Sequence, residues 1–162
     1  MPTLSPKQRV DASERLFGFL RGWLMVASAM FGIFGASWAV LGNFDPFGIY
    51  TSLLARSQWG TSQPTPEALD TFAFMTVPLG ATTAGYFVMV FMLVRFGFAQ
   101  RQPWAYWSVV AALLTWFVID SVFSGLHGAY FNIWLVNLPC LLIMGVPLLM
   151  LHSFFAARSH TT

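Results

Sequence analysis

Charged residues are scarce in this chain. Asp, Glu, Lys and Arg together make up 9% of its 162 residues, against roughly 25% in soluble globular domains. Hydrophobic residues make up 57% and aromatic residues 17%, which excludes an ordinary soluble domain, a disordered segment and a nucleic-acid-binding surface. The composition therefore indicates an integral membrane protein whose first partner is the lipid bilayer.

Cysteine is almost absent as well. The single Cys140 lies inside an apolar run, so the chain has no pair of cysteines for an intrachain disulfide, a zinc site or a redox relay. His127 and His152 are roughly 37 Å apart along a straight helix, too far to hold one haem between them. The eight Met residues are scattered and do not suggest a copper site. The sequence thus predicts no metal site, leaves any cofactor unknown, and keeps a single-His haem or a quinone open.

Long windows almost free of charge are what the chain does have. A spanning helix needs about 20 mostly apolar residues, and the sequence predicts four such spans, near 19–42, 71–94, 103–124 and 132–156. The last two are separated by the turn SGLHGAYFN, where glycine and asparagine interrupt the apolar stretch. Alternating strands for a barrel are missing. We expect one domain over residues 1–162, an all-α polytopic bundle of four transmembrane helices.

The positive charges predict an orientation. Cytoplasmic flanks of spans retain Lys and Arg, and one side of the bundle receives Lys7, Arg9, Arg15, Arg21, Arg95, Arg101 and Arg158, whereas the other receives only Arg56. Both termini are therefore expected in the cytoplasm, with residues 43–70 and 124–131 outside. The first apolar region exceeds the roughly 7–15 residues of a signal peptide, so it is interpreted as a retained anchor in the bacterial inner (plasma) membrane.

The first outer loop is too long to be a simple turn. Asp45 followed by Pro46 is typical of a helix start, which predicts a short interfacial helix near 46–57 whose lipid-facing side carries Phe47, Tyr50 and Leu54. A second start signal follows, in which Thr65 caps and Pro66 opens the helix of the second span.

Small residues and prolines predict how the spans pack. Rows at four-residue spacing allow close approach of helices, and they occur in the first span as Ser28, Gly32 and Ala36 and in the second as Ala81 and Gly85. We interpret these rows as packing within the bundle, with a homo-oligomer seam as the alternative. Pro78, Pro139 and Pro147 interrupt helical hydrogen bonding, which makes the fourth span the least regular.

Asp120 is the one acidic residue predicted inside a span, and such a residue is a candidate functional group. Ser124 and His127 follow it at helical spacing on one face, and Asn132 and Asn137 begin the next span at similar depth. Thr76, Thr82 and Thr83 are further candidates for this polar group. The preferred interpretation is a hydrogen-bonded clasp between helices. The alternative is a site for a lipid head group, a small polar ligand or a proton.

No nucleophile with an activating arrangement accompanies these residues, so no catalytic residue is assigned. The preferred function is a non-catalytic accessory or lipid-associated membrane subunit, with a membrane protein or a second copy as its partner. The alternative is a small membrane redox or lipid-modifying enzyme subunit that binds a quinone, an isoprenoid or a lipid at the polar site in the outer leaflet.

Three stretches carry a resemblance to known proteins: PLGATTAGY, WAYWSVVAALLTWFVIDS and GAYFNIWLVNLPCLLIMGVPLL. They resemble small bacterial four-helix membrane proteins of unassigned function, and this resemblance implies the fold and no activity. In size and topology the chain is also similar to DoxX-like proteins, some of which are associated with respiratory quinone chemistry.

Overall fold

The computed structural model describes residues 5–42, 45 and 47–156, and every regular element within those ranges is helical. Four of the helical segments are long and apolar enough to cross a membrane. The predicted all-α polytopic bundle is confirmed.

The helices extend beyond the predicted spans. The first span is the helix Pro6–Leu41, and the second is Pro66–Met92 continued by the π-helical segment Leu93–Phe98. The third span is Pro103–Leu126. The fourth span runs from Tyr130–Asn132 through the π-helical turn Ile133–Asn137 into Leu138–Ala156. A shorter helix, Ile49–Trp59, lies in the loop between the first two spans and is called the loop helix below.

Local capping explains where two of the spans begin. The Ser5 hydroxyl accepts a hydrogen bond from the Gln8 amide at 3.4 Å, and the Gln8 side chain accepts one from the Ser5 amide at 2.9 Å. This capping box starts the first helix well before predicted residue 19. At the second span, the Thr65 hydroxyl accepts from the amide of Ala68 at 3.3 Å, which confirms the predicted cap.

The loop helix begins later and faces differently than the sequence predicts. It starts at Ile49 after Gly48, whose φ of 64° turns the chain in a left-handed conformation. Asp45 still serves the helix start, since its Oδ2 accepts from the Thr51 amide at 2.7 Å; Pro46 lies outside the described residues. Phe47 is 85% exposed, as a lipid-facing residue should be. Tyr50, by contrast, faces the bundle, and the lipid-facing prediction for it is wrong.

The spans pack in an order that differs from their order in the chain. The first span lies between the second and the fourth, and the fourth packs in turn on the third. The second and third spans meet where the π-helical segment Leu93–Phe98 contacts the third helix. One apolar core joins all four, and its most deeply buried side chains include Leu24, Val90, Val94, Phe98, Val109, Met144, Leu151 and Phe155. The loop helix and residues 127–129 share one end of the bundle, called the loop side; the described chain ends share the other, the termini side.

The closest approach of the first two spans occurs at Gly35 and Gly80. A Cβ atom on Gly80 would lie 2.6 Å from the backbone oxygen of Gly35, and one on Gly35 would lie 2.9 Å from the backbone oxygen of Gly80. Of the predicted small residues, Gly32 contacts the second span. A Cβ atom added at Gly85, by contrast, would have no neighbouring atom within 4 Å. The predicted row of the first span is confirmed at Ser28, which is buried, and at Gly32 but not at the exposed Ala36, whereas the second span packs through a face rotated from Ala81 and Gly85.

Prolines leave carbonyl groups that other segments must satisfy. Pro147 has no amide hydrogen, so the backbone oxygen of Ile143 lacks its usual donor four residues later. The indole Nε1 of Trp23, on the first span, donates to that oxygen at 3.0 Å. Pro139 lies two residues after the π-helical turn Ile133–Asn137, as expected where a helix loses one backbone donor. The fourth span is irregular at this turn, but the second span also contains a π-helical segment, Leu93–Phe98.

On the termini side, one ion pair connects distant parts of the chain. Arg101 bonds both carboxylate oxygens of Glu14, at 2.5 and 2.6 Å, and its guanidinium lies 4.5 Å from the centre of the Phe17 ring. The pair joins the loop after the second span to the first helix. Arg158 lies outside the described residues.

The contact between Gly35 and Gly80 makes a stability prediction. Gly80→Ala should lower the free energy of unfolding by about 1–3 kcal/mol, because the new methyl group overlaps backbone atoms that cannot move aside. Gly85→Ala is the matched control on the same helix and should leave stability unchanged or slightly raised. Thermal unfolding in mild detergent measures both, and equal melting temperatures for the two variants would contradict the assigned helix contact.

Candidate functional site

The candidate site is a polar cluster at the loop side, centred on the side-chain amide of Asn132. Its Nδ2 donates to Oδ2 of Asp120 at 2.8 Å and to Oγ of Ser124 at 2.9 Å. Asp120 and Ser124 are one helical turn apart on the third span, so both reach the start of the fourth span across the intervening turn. Gly128, with a φ of 68°, allows that turn to be short.

Tyr50 connects the loop helix to the same amide. Its hydroxyl donates to Oδ1 of Asn132 at 3.3 Å, and its ring contacts Trp38, Phe72 and Phe131 with centroids 5.3 to 6.3 Å away. Burial raises the pKa of the Tyr50 phenol above its ordinary value, and the charge of Asp120 raises it further. The phenol therefore stays protonated at neutral pH and remains a hydrogen-bond donor.

Asn137 lies deeper and forms a separate contact. Its Nδ2 donates to Oγ of Ser121 at 3.0 Å, which joins the third and fourth spans a second time. The side chain is fully buried, and its Oδ1 accepts no hydrogen bond from the described residues. Asn137 is thus part of the polar seam between these helices, but it does not contact Asn132, Asp120 or Ser124.

His127 departs most clearly from the predicted arrangement. His127 caps the third helix, and its amide donates to the backbone oxygen of Phe123 at 3.2 Å, but no hydrogen bond joins its ring to Asp120. Its Nδ1 instead lies 2.9 Å from the backbone oxygen of Phe123, and its ring stacks on the Phe123 ring at 4.3 Å. Asp120 and His127 therefore form no acid–base pair in this arrangement.

The threonines of the second span do not join the cluster either. The Thr76 hydroxyl contacts the backbone oxygens of Gly42 and Ala73, and the Thr82 hydroxyl donates to the backbone oxygen of Pro78 at 2.8 Å. Thr76 and Thr82 consequently satisfy backbone groups near the first and second spans, and the predicted reach of these two residues toward Asp120 is absent from the described contacts.

A cleft of about 260 Å³ opens beside the cluster. One wall is the loop helix, from which Tyr50, Leu54 and Gln58 project at four-residue spacing. The other walls come from the end of the third span and the start of the fourth. The full lining is Tyr50, Leu54, Gln58, Phe123, Ser124, His127, Ala129, Phe131 and Asn132. Most of this surface is apolar, and its hydrogen-bonding groups come from Tyr50, Gln58, Ser124, His127 and Asn132.

The charge of the cluster is unbalanced. Asp120 is half-buried and forms no ion pair with a described residue, and the one hydrogen bond it accepts there comes from Asn132. Within the described part of the chain, no group of three or more His, Cys, Asp or Glu side chains converges as a metal site would require. Asp120 does not itself line the cleft; its carboxylate is connected to the cleft lining through the hydrogen bond from Asn132.

Comparison of the chain with protein-family models, with curated proteins and with solved structures finds no match. The site is accordingly described by its own geometry.

Two contributors were not identified from the sequence. Ser121 resembles any helical serine, and only the rotation of the third span shows that it meets Asn137. Tyr50 was placed in the loop helix but on its lipid-facing side. The hydroxyl of Tyr50 could have indicated a position against the bundle, because a buried tyrosine needs a hydrogen-bond partner.

The geometry at Asp120 predicts opposite results for two substitutions. Asp120→Asn keeps an oxygen that accepts from Asn132, so the melting temperature in detergent should change little. Asp120→Leu removes the acceptor and should lower the free energy of unfolding by about 1–3 kcal/mol, the cost of an unpaired buried polar group. A leucine variant that melts like the wild type would show that the contact between Asp120 and Asn132 contributes nothing to stability.

Proposed function

We propose that the chain is a non-catalytic, lipid-associated protein of the bacterial inner membrane that binds a membrane lipid in the loop-side cleft. The observation that carries this proposal is the lining of the cleft, where aromatic and aliphatic side chains surround a small polar region. A membrane lipid has the same division into an apolar body and a polar head. Ligand pockets in general combine an apolar lining with a few orienting polar groups.

The position of the cleft supports the same proposal. It lies between the loop helix and the ends of two spans, and the ends of spanning helices are where lipid head groups would meet hydrocarbon. Acyl chains would run along the exposed apolar surface of the third and fourth spans, where Val122, Phe123 and Leu135 are each more than half exposed. The polar part would lie near Ser124 and Asn132.

The charge distribution supports an orientation with the termini in the cytoplasm. Of the eight Lys and Arg residues in the sequence, only Arg56 belongs to the loop side, and short cytoplasmic flanks retain the positive charges. In this orientation the cleft faces the outer leaflet, so the bound lipid would come from that leaflet.

Lipid retention by cleft variants tests the proposal. The wild-type protein, purified in mild detergent, should retain about one lipid per chain in native mass spectrometry. Leu54→Trp fills the cleft with a larger side chain and should lose the bound lipid, whereas Ile49→Trp, at an exposed position on the same helix, should retain it.

The outcomes separate the two functional classes. Equal lipid retention by Leu54→Trp and Ile49→Trp would contradict the assigned cleft. A quinone that co-purifies with the wild type and absorbs in its optical spectrum would replace lipid association with the redox alternative.

A further inference from the structure

We infer that the cleft selects a phospholipid with a primary ammonium head group, and that Asp120 is the residue that makes the selection. The inference rests on the proposed lipid-binding function and specifies the ligand by its chemistry. It follows from the supply of donors, acceptors and charge around Asn132.

The donors of the Asn132 amide and of the Tyr50 hydroxyl are already used within the cluster. Both hydrogens of the Asn132 amide have acceptors, at Asp120 and Ser124, and the Tyr50 hydroxyl donates to the Asn132 oxygen. An ionised carboxylate has about four acceptor positions, and Asp120 accepts a single hydrogen bond from the described residues. The group that complements this cluster is therefore one that brings several N–H donors.

The charge of Asp120 indicates that the donor is cationic. No described Lys, Arg or His pairs with this carboxylate, and an unpaired charge at the end of a span costs free energy that a cation can offset. Arg56 belongs to the loop helix but is two residues from Leu54 and Gln58, so it projects from a different side of that helix than the residues lining the cleft. The protein itself thus supplies negative charge without a neighbouring counter-charge.

Asp120 does not itself line the cleft, but it is hydrogen-bonded to a residue that does. Its Oδ2 is 2.8 Å from the Asn132 nitrogen, and that nitrogen is 2.9 Å from Ser124 Oγ. Asn132 and Ser124 both line the cleft, and Asp120 itself is only half-buried. A primary ammonium group can donate three hydrogen bonds and could contact Asp120 and the Ser124 oxygen together.

A metal ion and a quaternary ammonium group fit less well. Among the described residues, no group of three or more His, Cys, Asp or Glu side chains converges to form a metal site that includes Asp120. A trimethylammonium group carries the charge and can contact the aromatic rings of the cleft, but it has no N–H to donate to the Asp120 carboxylate. The arrangement therefore predicts that a primary amine binds more tightly than its trimethylated form.

Competition between short-chain lipids tests this inference. Delipidated wild-type protein in detergent is titrated with dioctanoyl phosphatidylethanolamine, phosphatidylcholine and phosphatidylglycerol, and binding is measured by native mass spectrometry. The ethanolamine lipid should bind about tenfold more tightly than either of the others, the size of effect expected for a charge-assisted hydrogen bond.

Variants assign the preference to Asp120. Asp120→Asn keeps the contact with Asn132 and should lose the preference, with binding of the glycerol lipid unchanged or stronger. Asp120→Glu keeps the negative charge and should retain part of the preference for the ethanolamine lipid. Asp70→Asn removes an exposed carboxylate elsewhere on the loop side and should behave as the wild type does.

Each contrary result has a distinct meaning. Equal wild-type affinity for the ethanolamine and glycerol lipids would overturn the inference and leave lipid association intact. Equal affinity for the ethanolamine and choline lipids would overturn the role of N–H donors. A preference that survives in Asp120→Asn would overturn the assignment to this residue, and absence of binding by every lipid would overturn the proposed function itself.

Discussion

The hydrogen bonds of the Asn132 side chain determine the arrangement of the loop side. One amide joins the loop helix through Tyr50 and the third span through Asp120 and Ser124, while its own backbone belongs to the fourth span. Each of these polar groups is partly or fully withdrawn from water, and an unpaired buried polar group costs about 1–3 kcal/mol. The groups are therefore stable only as a set. The cleft exists because this set fixes the loop helix against the ends of the third and fourth spans.

Satisfaction of backbone groups shapes the rest of the bundle. In hydrocarbon no water compensates for a missing hydrogen bond. Another donor or a local change in the helix must therefore compensate for the backbone hydrogen bond that each proline in a span removes. The backbone oxygen of Ile143 accepts a hydrogen bond from the indole of Trp23 instead, and this bond joins the first span to the fourth. Near Pro139 the helix changes locally to the π-helical turn that precedes this proline. The first two spans pack closely where Gly35 contacts Gly80.

Those parts of the structure that depend on local sequence were predictable, whereas those that depend on rotation of helices were not. Charge-free windows predicted the four spans, and Thr65 with Pro66 predicted a helix start. Spacing within the third span brought Asp120 and Ser124 to one face, and the short turn after it brought Asn132 near. The spans are apolar on every side, so no polar face indicates which side of a helix meets its neighbour. That is why the glycine contact and the direction of Tyr50 could not be predicted, and why the His127 ring contacts the backbone oxygen of Phe123 instead of Asp120.

The most direct test of the central claim is the rate at which trypsin cleaves after Arg56 in the loop helix. Tyr50→Phe removes only the hydroxyl that donates to Asn132, a hydrogen bond of about 0.5–1.5 kcal/mol. If that bond holds the helix in place, cleavage should accelerate roughly three- to tenfold, because cleavage follows the population of the opened state. Tyr130→Phe, which removes the hydroxyl of an exposed tyrosine, should leave the rate unchanged. Equal rates for wild type and Tyr50→Phe would contradict the claim that the Asn132 cluster positions the loop helix.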